Sequence, residues 1–463
     1  MAYSSFSSLL SFALLASAVS AGTYSGQFVA PPARNATTVT RRAGNGLINM
    51  GYFANWASAE SSFNFKANDI PIETLTHILY AFGDCDKASG ALKLSDPTID
   101  TGDSASGTLG GQLGDLFALK QKQRNLKVIM SFGGWTYSQD GHFDFVIDAT
   151  ARAKFVADSI QWIEDYGLDG IDIDYEALTA EQTDGFISLM KELREALDKH
   201  AADKGDDTGY LLTSAVGYAP ADYVSQAAQY MDYYNIMDYD FSGSWIPTTQ
   251  HQANLYSDGS NGGVSIDSGV QKWLGVVPAE KLVIGQPLYA RAFAKTTGIG
   301  AAYDGMAGNE GIMNYKDLPS SGDTVVVDEK LGASYSFDPA TGILASYDVP
   351  AVTKIKAKYI QDKGLAGSMW WDLSTDKVGE DSLVGLTAKI YGSLDQTKNH
   401  INYPKSAYDN VKAAGAGEQG GSGGGEQTSD PVPEPTATAT ATPTETPAPG
   451  PTKTCAAKKR SAA

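Results

Sequence analysis

The chain has 463 residues, more than an average domain needs but within reach of one large α/β barrel with flanking segments. Its apolar content of 42% and aromatic content of 10% are those of a globular protein, and its formal net charge of -19 argues against nucleic acid or an anionic membrane surface as partner. Only two cysteines occur, Cys85 and Cys455, in different regions, so no disulfide framework supports the fold and the core must be large.

Residues 1–21 form a short apolar run ending in Val19-Ser20-Ala21, the pattern of a signal peptide, and too short to span a bilayer. Residues 22–42 carry the sequon Asn35-Ala36-Thr37 and end at Arg41-Arg42, as a propeptide with dibasic processing would. The expectation is a secreted glycoprotein. Residues 412–463 shift to Gly, then Pro, Thr and acid, a composition with too little apolar surface to order itself, and are expected to form a disordered tail.

Between these ends eight apolar runs recur: LINMGYFANW, LTHILYAFG, LKVIMSFGGW, GIDIDYE, LLTSAVG, YYNIMDYD, KLVIGQPLYAR and LAGSMWWDL. Several are separated by helical patterns, one with Phe155, Ile160, Trp162 and Ile163 on one face, another with Phe186, Leu189 and Leu193 similarly spaced. Eight such strands alternating with helices predict a closed (β/α)8 TIM barrel over residues 46–398. A doubly wound open sheet would need a Gly-rich phosphate turn after the first strand, which GYFANW lacks. The interval between the seventh and eighth strands is too long for one helix, and residues 294–346 are expected to form a small α+β insertion walling a cleft.

The fourth run holds the most informative pattern. Alternation along a strand points Asp172, Asp174 and Glu176 to one face and Ile171, Ile173 and Tyr175 to the other, with Asp169 out of phase at the strand entrance. Two carboxylates about 4 Å apart repel by roughly 4 kcal/mol at an effective dielectric near 20, so the three cannot all be ionised. A calcium loop is the plain alternative, but the EF-hand spacing is missing and the strand reads as interior. Placed at the carboxyl end of a barrel strand, where this architecture keeps its chemistry, the row reads as a proton relay with Glu176 outermost as general acid. Trp56, Trp135, Trp245, Trp370 and Trp371, five of the seven tryptophans, fall at strand ends, and their flat faces suit stacking on pyranose rings.

These residues carry a resemblance to the family 18 glycoside hydrolases, chitinases among them. Asp169, Asp172, Asp174 and Glu176 fit the DxxDxDxE motif, SFGG at 131–134 fits SxGG, and Met237, Tyr239 and Asp240 fit MxYD. GSW, HQANLY, QPLYARAF and GSMWWDLS add further likeness in the right order. The resemblance implies chitinase action on β-1,4-linked N-acetylglucosamine by a substrate-assisted retaining mechanism, with Glu176, Asp174, Asp172 and Tyr239 catalytic. It implies sugar contacts from Tyr52, Trp56, Trp135, Met237, Asp240, Trp245, Tyr289, Arg291 and Trp371, and a structural or relay role for Asp169 and Ser131. Chitin or chito-oligosaccharides are the implied partners of a monomeric, secreted enzyme. No cofactor or metal is expected: the five histidines include no pair at ligand spacing on a helix. Where relatives commonly read Trp-Glu-Tyr-Pro, this chain reads Tyr175-Glu176-Ala177-Leu178. That departure leaves open an endo-β-N-acetylglucosaminidase acting on N-glycans. A non-catalytic chitin-binding lectin is the third reading, one that Glu176 opposes.

Overall fold

A computed structural model describes residues 46–60, 62–102 and 107–415 of the chain. The expected signal peptide, propeptide and sequon lie outside the described residues, as does the tail from residue 416. The eight apolar runs become eight parallel strands: β1 Ile48–Ala54, β2 His77–Cys85, β3 Lys127–Gly133, β4 Gly170–Asp174, β5 Leu211–Val216, β6 Tyr233–Ile236, β7 Leu282–Pro287 and β8 Gly367–Trp371. Each pairs with its neighbour in sequence order, and β1 pairs with both β2 (Met50↔His77) and β8 (Ile48↔Gly367), which closes the barrel.

Both faces of these strands are buried, as a parallel sheet between helices requires. One face fills the barrel with Ile48, Met50, Leu79, Ile129, Leu211, Val283 and Met369. The other, with Ile78, Val128, Ile171, Ile173, Leu212 and Ile284, packs under the helices. Helix α1, Gly111–Lys122, precedes β3; α2, Ala149–Tyr166, precedes β4; and α3, Thr183–Lys204, precedes β5. The Asp148 carboxylate caps α2 by accepting the Ala151 N–H at 2.8 Å, and Gly167, at φ +66°, ends it in the left-handed conformation. Phe155, Trp162 and Ile163 on α2 and Phe186, Leu189 and Leu193 on α3 are buried, which makes the 3.6-residue period of the sequence the inner face of the helical layer.

The interval between β7 and β8 holds a five-stranded antiparallel sheet built from Tyr289–Phe293, Ile312–Asn314, Thr324–Asp328, Ala333–Asp338 and Ile343–Ser346. It starts before residue 294. KLVIGQPLYAR, read above as one strand, is two: β7 stops at Pro287, and Tyr289 opens the insertion by pairing with Asn314. The helical part of the interval is the 3-10 turn Tyr315–Asp317 and the following helix, Pro350–Lys363, which leads back to β8.

The chain after the last barrel helix, Leu383–Tyr391, closes the amino-terminal end of the barrel. Asp395 pairs with buried Lys127 at 2.5 Å, and the Asn399 side-chain amide donates to the carbonyls of Lys120 at 3.0 Å and Leu126 at 2.7 Å. The helix Asp409–Ala414 buries Val411, so ordered structure runs past residue 412, where the composition shift placed the start of the tail.

Candidate active site

The carboxyl ends of the strands gather the acidic row. Asp172 is fully buried and accepts four hydrogen bonds: at Oδ2 from Tyr52 on β1 (2.9 Å) and Ser131 on β3 (2.7 Å), and at Oδ1 from Thr213 on β5 (2.5 Å) and Asn235 on β6 (3.2 Å). Burial pushes its pKa above the usual carboxylate range, and these four donors pull it part of the way back. Asp174, the last residue of β4, is one layer higher and 5% exposed, and its Oδ1 has no hydrogen-bond partner. Burial, then the charges of Glu176 and Asp172, hold its carboxyl well above the usual range. Glu176 stands beyond the strand, half-buried, with its pKa pushed up to about 7 by burial and then by Asp240. The Tyr239 hydroxyl is kept protonated by burial and by the nearby charges of Asp174, Asp240 and Glu176.

Glycines let these layers approach. A Cβ on Gly133 would stand 2.1 Å from the Asp174 carbonyl oxygen, and one on Gly134 would stand 2.7 Å from the Phe82 ring; both residues have positive φ, +118° and +83°. The paired glycines after Ser131 are therefore what allows β3 to run flush against β4 beneath an aromatic neighbour.

Asp240 lies in the left-handed region at φ +60°, an unusual place for a residue with a Cβ. Its carboxylate is held there by Tyr289 Oη at 2.7 Å and by Arg291 through Nε at 2.7 Å and Nη2 at 2.6 Å. The Arg291 guanidinium in turn lies over the Trp245 ring, 5.0 Å from its centroid. The insertion sheet thus contributes Tyr289 and Arg291 to the rim.

An aromatic floor completes the site. Trp371, the last residue of β8, stacks on Phe82 with centroids 5.8 Å apart, meets the Tyr52 ring edge-on at 5.3 Å, and Phe82 continues to Trp56 at 6.1 Å. Met237, Tyr239 and Tyr137 pack against the same cluster. Trp135 opens the short helix after β3 and is 38% exposed. Of the tryptophans expected at this rim, Trp370 is elsewhere: alternation turns it outward, where it is fully buried and its indole N–H donates to Asn49 Oδ1 at 2.8 Å.

Asp169 belongs to a different network, at the opposite end of the barrel. It accepts the backbone N–H groups of Val128 and His400, each at 2.8 Å, and pairs with buried Lys120 at 2.8 Å, so it ties β4 to the segment closing the barrel floor, away from Asp172 and Asp174. Phe82, Thr213, Asn235 and Ser138 are site neighbours that sequence reasoning passed over. For Thr213 and Asn235 the signal was present, a polar residue at an inward position whose inward neighbours on the same strand, Leu211 and Ala215 or Tyr233, are apolar or aromatic. Among the described residues no group of three or more His, Cys, Asp or Glu side chains could hold a metal ion.

The family model for glycosyl hydrolases family 18 matches residues 48–376. The chain belongs to that family. It is 36% identical over 425 residues to Chitinase 1 of Aphanocladium album, covering 87% of this chain and 99% of that one. Endochitinase 1 of Metarhizium robertsii is 35% identical over 412 residues, covering 83% and 94%. Among solved structures, a chitinase from Bacillus thuringiensis superposes with a TM-score of 0.67 at 28% identity over 75% of this chain and 70% of its own. A mutant of the group II chitinase catalytic domain 2 of Ostrinia furnacalis, solved in complex with (NAG)5, gives 0.66 at 26% identity over 76% and 99%.

Proposed function

We propose that this chain is a secreted chitinase that cleaves β-1,4 linkages between N-acetylglucosamine units with retention of configuration, the acetamide of the substrate acting as nucleophile. The observation that carries the reading is the trio above the barrel axis: a carboxyl held protonated up to about pH 7 at Glu176, a second carboxyl with an unpartnered oxygen at Asp174, and the Tyr239 hydroxyl beside both. The names of the relatives support the substrate class, and the signal-peptide pattern of residues 1–21 supports secretion.

In this mechanism a sugar unit lies on Trp371 with its N-acetyl group directed toward Asp174 and Tyr239. Glu176 gives its proton to the glycosidic oxygen as the bond to the anomeric carbon breaks, and the acetamide oxygen forms the new bond from the opposite face. Asp174 accepts from the acetamide N–H as positive charge develops, while Tyr239 donates to the acetamide oxygen. Glu176, now ionised, takes a proton from water, whose oxygen adds to the anomeric carbon and reopens the ring. The enzyme ends as it began.

The test is incubation with N-acetylated chito-oligosaccharides, with an N-glycan as the parallel substrate. Release of shorter N-acetylated oligomers, and not of a trimmed glycan, is expected; glycan trimming alone would move the chain to the endo-β-N-acetylglucosaminidases, and binding without turnover would make it a lectin.

A further inference from the structure

After Gly134 the chain turns into the short helix Trp135–Gln139, so the backbone rungs to β4 stop at the Asp174 carbonyl. The peptides on either side of Tyr175 are held all the same. The Gly134 N–H donates to the Asp174 carbonyl at 2.9 Å. The Ser138 hydroxyl, 4% exposed, donates to that carbonyl at 3.3 Å and accepts the Glu176 N–H at 2.9 Å. A carbonyl only accepts and an amide N–H only donates, so the direction of both bonds follows from the groups themselves. Among the described residues no protein group donates to the Glu176 carboxyl, which leaves its backbone to locate it.

We propose that Ser138 is a positioning residue for the acid: by bridging the Asp174 carbonyl and the Glu176 N–H, its hydroxyl sets where the Glu176 carboxyl stands over the cleft. The inference rests on reading Glu176 as the proton donor. It does not require Ser138 to hold the helix together, because the Ser138 N–H donates to the Gly134 carbonyl at 3.0 Å and that bond needs no side chain. A displacement of about 1 Å at a reacting group is enough to cost on the order of 10²-fold in rate, so one missing rung at this peptide is visible in kcat.

The pH profile reports the same geometry. Glu176 faces Asp174 on its own strand and Tyr239 and Asp240 beyond β6, with Asp240 tied to Arg291 and Tyr289 of the insertion. A carboxyl freed to lean into water loses the burial that raises its pKa, so it gives up its proton at lower pH.

The experiment compares wild type, Ser138→Ala and Ser138→Thr on N-acetylated chito-oligosaccharides, with thermal unfolding of each. Ser138→Ala is expected to lower kcat by about 10-fold or more, to leave KM nearly unchanged, and to move the basic limb of kcat/KM to lower pH. Ser138→Thr, which keeps a hydroxyl, recovers most of both. Oligosaccharide affinity measured in the Glu176→Gln background should be the same with and without Ser138→Ala. Wild-type kcat and an unmoved basic limb in Ser138→Ala overturn the proposal, as does a rate loss that merely tracks the unfolded fraction. A wild-type enzyme unable to cleave the oligomers overturns the reading of Glu176 itself and takes this inference with it.

Discussion

Arg291 grips Asp240 at two points, Nε to Oδ1 at 2.7 Å and Nη2 to Oδ2 at 2.6 Å, and so neutralises the carboxylate whose charge helps keep the proton on Glu176. A residue of the insertion sheet thereby reaches the acid of the fourth strand through one intermediary. An acid that must be protonated to act loses activity as pH rises through its pKa, so kcat/KM should decline above about 7. Asp240→Asn removes the negative charge, lowers the pKa of Glu176 and moves the decline to lower pH. Arg291→Met leaves Asp240 uncompensated and moves it higher. Rate profiles across the acid to mildly alkaline range check both directions; a limb that stays put in both variants would remove Asp240 from the electrostatics of the acid.

Glu176→Gln is expected to lose about 10²- to 10⁴-fold in kcat, since an amide cannot protonate the leaving oxygen, while calorimetric binding of chito-oligosaccharides persists. Near-wild-type turnover in that variant would place the acid elsewhere.

Asp172 predicts a cost in stability. Thr213→Val takes away one of its four donors and leaves a fully buried carboxylate under-satisfied, at about 1–3 kcal/mol. Urea unfolding should show the loss as a lower midpoint at unchanged slope. An unchanged midpoint would mean that the remaining three donors suffice to satisfy the buried group.

At the other end of the barrel, Lys120→Met strands the Asp169 carboxylate without its buried partner and should cost about 3–5 kcal/mol, with kcat per folded molecule unchanged. A loss of turnover without a loss of stability would instead return Asp169 to the relay.

The period-two rule was enough to put Asp172 and Asp174 on one face of the fourth strand, because alternation is local, whereas Glu176 lies past the end of that strand, where the rule no longer applies. The same rule, applied to the eighth run, separates Trp371 from Trp370; counting tryptophans at strand ends without it put a buried packing residue into the cleft. The break between β7 and the insertion was masked because apolar residues continue on both sides of it, and only Pro287, which has no N–H for a ladder, marked the place. Thr213, Asn235 and Ser138 were harder for a different reason. Each is an ordinary polar residue on its own element, and it acquires its role only when barrel closure brings four other strands onto one carboxyl group, or a helix onto one peptide. The left-handed backbone of Asp240 likewise depends on Tyr289 and Arg291, some 50 residues on, and no local pattern announces it.

The role assigned to the substrate gives the sharpest prediction. Oligomers carrying N-acetyl groups should be cleaved, and fully deacetylated chitosan of equal length should not, although the glycosidic bond is the same. In the proposed mechanism Asp174 and Tyr239 grip the acetamide and neither attacks carbon, so without the acetyl oxygen nothing would stabilise the cationic centre from below. A glucosamine amine cannot take its place. Asp174→Ala should accordingly lower kcat far more than it raises KM, because the charge it steadies exists only as the oxazolinium forms. Early-time proton NMR of the products reads the outcome directly: retained anomeric configuration is expected. Inverted product, or cleavage of the deacetylated chain at a comparable rate, would overturn the substrate-assisted mechanism while leaving the barrel and its family untouched.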